Sequence, residues 1–121
     1  MTRRLAIACL TLAAALAVAA PPAAASTARS CSLAGQQRTL GPTYVTALRV
    51  TAVGCRAGKR LVRAYFRCRV EAGGKDGRCA GGARGYRCTE QRFNVIETQY
   101  DARVKCRKGA AYVTHDYTQF T

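Results

Sequence analysis

Catalysis in this chain would have to be assembled from a short inventory. There is one imidazole, His115, and there are six carboxylates: Glu71, Asp76, Glu90, Glu97, Asp101 and Asp116. Nucleophilic chemistry needs a nucleophile, a base and a group that orients the base. No Gly-x-Ser-x-Gly elbow occurs, and a lone histidine in a Tyr/Thr-rich strand reads as a packed or surface residue before it reads as a base. Glu90 and Glu97 have the residue type of a glycosidase-like pair. Among so many arginines each is more simply an ion-pair partner. One enzymatic combination has a geometry that can be checked, that of a small secreted ribonuclease. It would place Glu97 or Glu90, Arg103 and His115 together on a sheet face, with positive charge drawing in RNA. No motif of that family appears in order. The sequence therefore implies no catalytic residues, no cofactor and no enzyme.

Cysteine chemistry gives a stronger signal. Of seven cysteines, Cys9 lies in an N-terminal apolar stretch, leaving Cys31, Cys55, Cys68, Cys79, Cys88 and Cys106. A metal site would ask for CxxC knuckles or histidines at ligand spacing. The nearest pair, Cys79 and Cys88, are nine residues apart and there is a single histidine. No metal site is expected. An even number of cysteines in a short exported chain reads as a disulfide framework. The most local pair, Cys68–Cys79, is favoured, and Cys55–Cys88 with Cys31–Cys106 would complete a set that staples helix and loops to a sheet.

The exported context comes from the N-terminus. Met1-Thr2-Arg3-Arg4 precedes an uncharged stretch from Leu5 to Ala20, followed by Pro21-Pro22-Ala23-Ala24-Ala25-Ser26. A basic start, a short apolar core and small residues at Ala23 and Ala25 make a secretory signal, with cleavage expected after Ala25. The apolar run of 16 residues is short of the roughly 20 that a spanning helix needs. The expected products are a signal peptide over residues 1–25 and, since 121 less 25 leaves 96, a mature chain of 96 residues, secreted and free or wall-associated.

Cleavage removes Arg3 and Arg4, so 18 of the 20 basic residues remain against six acidic ones, a net charge of +12. Such a surplus attracts polyanions over about a Debye length, roughly 8–10 Å at moderate salt. Sixteen of the twenty basic residues are Arg, as GC-rich coding would produce, so arginine usage alone says nothing about phosphate. Position says more. Arg56, Arg60, Arg63 and Arg67 recur at steps of three and four. At about 100° per residue they fall within roughly a 60° arc of a helix. This stripe is the anion-binding candidate, and its competing reading is an ordinary solvated face.

These residues need a frame. Residues 26–43 are small and polar and read as a loosely ordered arm tied down at Cys31. Tyr44 to Val53 alternates, with Leu48, Val50 and Ala52 on one face, which is a strand ended by Gly54. From Cys55 to Val70 the period becomes helical, with Ala57, Leu61, Ala64, Tyr65 and Cys68 forming an apolar stripe opposite the arginines. Ala72 to Gly85 is glycine-rich, lacks the Gly-Lys-Ser/Thr of a phosphate loop, and reads as a loop pinned at Cys79. Tyr86 to Glu90, Ala102 to Arg107 and Ala111 to Phe120 read as strands, with a turn at Lys108-Gly109; Phe93 to Tyr100 reads as a strand or a long connection. Strand, helix, then strands gives an α+β fold. One helix would pack on an antiparallel sheet of three to five strands, disulfide-stapled, in a single domain over residues 44–121.

Several of these runs recur together elsewhere. Val50-Thr51-Ala52-Val53-Gly54-Cys55, Ala64-Tyr65-Phe66-Arg67-Cys68 and Gly85-Tyr86-Arg87-Cys88 are followed by Gln99-Tyr100-Asp101-Ala102, Cys106-Arg107-Lys108-Gly109 and Tyr117-Thr118-Gln119. Together they resemble a group of small secreted, cysteine-containing proteins of high-GC Gram-positive bacteria. The resemblance implies export and a cysteine framework and brings no activity with it. The reading that follows is a secreted, basic, non-enzymatic binding module. Its partner would be an anionic cell-envelope polymer or an extracellular protein, with no physiological nucleic acid and no membrane span in the mature form. A secreted enzyme inhibitor is the alternative, displaying Gly73 to Arg84 between disulfides, although ordering a glycine-rich loop costs affinity. A cationic antimicrobial ranks below it, because that class needs an exposed apolar surface and this helix needs its apolar side for a core. The ribonuclease-like hydrolase comes last.

Overall fold

The computed structural model describes residues 15–20 and 26–121. The expected cleavage site after Ala25, and most of the expected signal segment, lie outside the described residues. No helix among the described residues is long and apolar enough to cross a membrane.

The elements are β1 (Arg29–Ser30), β2 (Tyr44–Thr51), α1 (Cys55–Gly73), a 3-10 turn (Gly74–Asp76), β3 (Arg87–Ile96), β4 (Gln99–Lys108) and β5 (Ala111–Phe120). They form one five-stranded sheet in the order β1-β2-β5-β4-β3, antiparallel throughout. The helix covers one face, as the α+β reading expects.

Alternation along the strands fills the space beneath the helix. Val45, Leu48 and Val50 of β2, Tyr100, Ala102, Val104 and Cys106 of β4, and Val113 and Tyr117 of β5 are all buried. The helix adds Gly58, Leu61, Val62, Tyr65 and Arg69. Its buried side is thus rotated from the expected stripe: Gly58, Val62 and Arg69 go inward, while Ala57, Ala64 and Cys68 are only half-buried. Gly58 explains part of the rotation. A Cβ there would stand 2.8 Å from Val50 Cγ1, so the missing side chain lets the helix lie close on β2. Ala52 is not inward either. It lies past the strand end with φ 56° and is exposed.

The arm is packed, not loose. β1 pairs with β2, the Cys31 amide donates to Leu48 O at 2.8 Å, and Leu33, Leu40 and Pro42 are buried. Leu40 is wholly buried, which contributes roughly 1.5–3 kcal/mol. Two apolar residues seven apart leave no periodic signature, so this element is invisible to pattern reading.

The six cysteines form three disulfides: Cys31–Cys55, Cys68–Cys79 and Cys88–Cys106. The favoured local pair is present, and the other two expected pairings are replaced. Cys88 and Cys106 face each other in the β3–β4 ladder and cannot reach elsewhere. Cys31 follows β1 along β2, and the chain doubles back at Gly54 so that Cys55 arrives over the same strand. Cys31–Cys106 would need the arm to cross the sheet, and the pairing of β1 with β2 holds it at the edge instead.

Candidate anion-binding surface

Among the described residues no layer lies over the sheet face away from the helix, and strand register arranges its side chains in rows. One row runs Thr51, Tyr112, Arg107, Arg87 across β2, β5, β4 and β3; the next runs Arg49, Thr114, Lys105, Thr89. A third is Ala47, Asp116, Arg103, Gln91. Cross-strand neighbours in such rows lie about 4.5–5.5 Å apart. Five cations therefore share one exposed face: Arg49, Arg87, Arg103, Lys105 and Arg107. Two adjoining shallow depressions there, of about 300 and 320 Å³, have Lys105, Tyr112 and Thr114 in common.

The charge on this face is graded. Arg103 is held by Asp116 through Nε and Nη2, both at 2.8 Å. Further toward the β3–β4 turn, Asp101 accepts from Thr118 at 2.6 Å and Asn94 at 2.9 Å. Those two bonds hold its carboxyl below the usual carboxylate range. At the opposite end the carboxylates stop. Among the described residues no ion pair includes Arg49, Arg87, Lys105 or Arg107. Arg87 and Arg107 even sit directly opposite each other, an arrangement that destabilises a sheet slightly unless something anionic lies between. The Arg107 guanidinium lies 5.5 Å from the Tyr112 ring centroid, so one cation stands over the aromatic ring in these rows, which is itself exposed.

The helical arginine stripe lies on the other side of the molecule. Arg56, Arg60 and Arg67 are exposed and Arg63 is half-buried, donating from Nε to Thr39 O at 3.5 Å. The stripe is real as a surface, but it shares no face with the five sheet cations. Sequence reasoning missed that sheet cluster. Its signal was present in the alternation of Arg103, Lys105 and Arg107 along β4; what was lacking was the strand order that brings Arg49 and Arg87 alongside.

The ribonuclease-like combination is not brought together. Arg103 and Val104 are paired with Asp116 and His115 respectively, so Arg103 is on the open face and His115 is on the helix face. His115 is buried, with its ring 5.7 Å from Tyr65 and 5.9 Å from Tyr117. Glu97 is in the exposed β3–β4 turn. Glu90 is buried in a different group of polar residues centred on Arg69. Arg69 donates to Lys75 O at 3.0 Å, Tyr100 Oη at 2.8 Å and Gln119 Oε1 at 3.1 Å. Glu90 accepts from Arg92 at 2.9 Å and from the Tyr117 hydroxyl, and its Oε1 stands 4.0 Å from Arg69 Nε. Burial, then the bond to Glu90, pushes the Tyr117 hydroxyl far above its ordinary pKa. Glu90 also stands 3.5 Å from the exposed Arg78, so the group has a buried centre at Arg69 and a solvent-facing edge, and it joins the helix end to the sheet. Arg69 follows Leu61 and Tyr65 at steps of four, so its place on the inward row was legible, against the expectation that arginine points out.

The expected inhibitor loop is clamped at its start. Arg92 donates to Asp76 O at 2.9 Å and Gly77 O at 2.7 Å, and Tyr100 donates to Lys75 O at 2.6 Å. Among the described residues no group of three or more His, Cys, Asp or Glu is placed to hold a metal ion. Comparison with known proteins yields no match among family models, curated proteins or solved structures.

Proposed function

We propose that the protein is a secreted, non-enzymatic binding module whose open sheet face takes an anionic partner of the cell envelope. The observation that carries this is the cluster of Arg49, Arg87, Lys105 and Arg107 on one exposed face with no carboxylate partner among the described residues. Unneutralised like charges cost stability and concentrate a field that an anion relieves. The rigid five-stranded support holds them in fixed rows, which lowers the ordering cost of binding. The resemblance to small secreted proteins supports the compartment, and the net charge supports the class of partner.

The test compares two triple variants on immobilised anionic envelope polymer with a salt gradient. Arg49→Gln/Lys105→Gln/Arg107→Gln should elute at clearly lower salt than the parent. Arg56→Gln/Arg60→Gln/Arg67→Gln, which removes the same charge from the helix, should shift elution less. Equal shifts would mean that net charge alone binds, and a larger shift for the helix variant would move the site to the stripe.

The inhibitor reading keeps one supporting observation, the clamping of residues 75–77 by Arg69, Arg92 and Tyr100. It removes mobility at the start of the loop as an objection. A protein partner retained at high salt would favour it.

A further inference from the structure

We propose that the ligand of the open face is a linear polyol phosphodiester, lying along β4 with successive phosphates on Arg103, Lys105 and Arg107. The inference rests on the reading of that face as the binding surface and adds the chemistry of what it holds. Residues two apart on a strand project from the same face about 6.8 Å apart. Arg103, Lys105 and Arg107 are three such residues in file on β4, all exposed. In an extended peptide two residues comprise six backbone bonds and span about 7 Å. A phosphodiester joined through a three-carbon unit also repeats every six backbone bonds, so its charges fall at nearly the same interval. Inorganic polyphosphate places a charge at every second bond, and a uronic-acid polysaccharide such as hyaluronan only at every second sugar ring. Neither keeps step with the strand.

The residues between the cations favour a polyol over a nucleic acid. Thr89 and Thr114 flank Lys105 in its row, and Thr51 stands beside Tyr112 in the next. Threonine hydroxyls both donate and accept, as the hydroxyls of a polyol do. Single-stranded nucleic acid is held by aromatic rings on which bases stack. Here the Arg107 guanidinium stands over Tyr112, and the other aromatic residues of this face, Tyr44, Phe93 and Phe120, lie in or beyond the row of Asp101, away from the unpaired cations. Arg103 is the weakest of the three positions, because Asp116 takes Nε and Nη2 and leaves only the Nη1 hydrogens to a phosphate. Arg87 and Arg49 lie to either side of the β4 file and would take the free phosphate oxygens.

The experiment is a competition by fluorescence anisotropy at fixed moderate salt, using oxidised protein. The probes are a labelled glycerol-phosphate oligomer, inorganic polyphosphate, hyaluronan and an oligothymidylate, matched in total charge. The glycerol-phosphate oligomer should bind at least about tenfold more tightly than polyphosphate or hyaluronan. Lys105→Gln should erase that preference and reduce the slope of log affinity against log salt by about 0.7, the value for one phosphate contact on a single chain. Equal binding of all four polymers, weakened in proportion by Lys105→Gln, overturns the spacing proposal and leaves the charged-face reading intact. No effect of Lys105→Gln or Arg107→Gln on any polymer overturns both. Tighter binding of oligothymidylate that Tyr112→Ala abolishes identifies nucleic acid as the occupant and overturns the polyol.

Discussion

Arg69 has no accessible surface, yet its charge is permanent and must be met in place. Its guanidinium is met by a carbonyl, a phenol and an amide oxygen, by the Tyr117 ring at 4.5 Å and by Glu90. Lysine has no planar fork to copy this. The same cation bears on its neighbour His115, whose pKa is depressed to about 3, first by burial and then by Arg69, with Asp116 opposing. His115 is therefore neutral in the folded state at every pH above that value, whereas in the unfolded chain it gains a proton below about 6.5. Between these values the unfolded state binds the extra proton, so stability falls as pH drops. By pH 5 the loss is set by the unfolded pKa and comes to about 2 kcal/mol. Urea midpoints at pH 7 and pH 5 should show it in the parent and largely lose it in His115→Gln. As His115 is the sole histidine, an equal loss in both proteins would place the titration elsewhere.

At the scale of elements, the passage from α1 to β3 is where packing overrules composition. Its glycines suggest a linker, yet two of them are required by close backbone approach. A Cβ on Gly77 would stand 1.9 Å from Arg69 O, and one on Gly82 would stand 2.0 Å from Tyr86 O. Gly81, between Cys79 and β3, has open space around its Cβ position. Gly77→Ala should lower stability by roughly 1–3 kcal/mol, the usual cost of forcing atoms into a filled site. Gly81→Ala should stay within about 0.5 kcal/mol of the parent. Thermal melts of the two variants side by side check this, and a tolerated Gly77→Ala would mean that the clamp at residues 75–77 is loose.

For the whole molecule, one helix over one sheet leaves a thin core, and the covalent links carry a large share of stability. The three disulfides close segments with sequence separations of 24, 11 and 18. In the chain-entropy account each contributes about 3 kcal/mol, against a total that for small domains is about 5–15 kcal/mol. Full reduction should therefore remove the cooperative thermal transition followed by circular dichroism. A reduced chain that still melts cooperatively would show that the helix and sheet suffice. The same two-layer build separates the basic surfaces, with the arginine stripe on the outer side of the helix and the five cations on the opposite face of the sheet. Salt-sensitive binding by one need not involve the other.

How much of this was written in the sequence depends on the range of the interaction. The helix start at Cys55, the strand at Ala111 to Phe120, the turn at Lys108-Gly109 and the local bridge Cys68–Cys79 rest on periodicity and neighbours a few residues away, and each was legible. The α+β class followed from element order, because a single amphipathic helix among strands must cover one sheet face. Cys88–Cys106 was half legible: a hairpin centred near Glu97 sets the two opposite each other, but the turn itself has no strong signal. The packed arm, the partners of the inward Arg69 and the rows of cations were decided only in three dimensions. Each depends on strands far apart in the chain becoming neighbours, and alternation tells which side of its own strand a residue occupies without telling which strand lies next to it. Residue types set the charge and the capacity for disulfides; the strand order β1-β2-β5-β4-β3 decided which charges share a face.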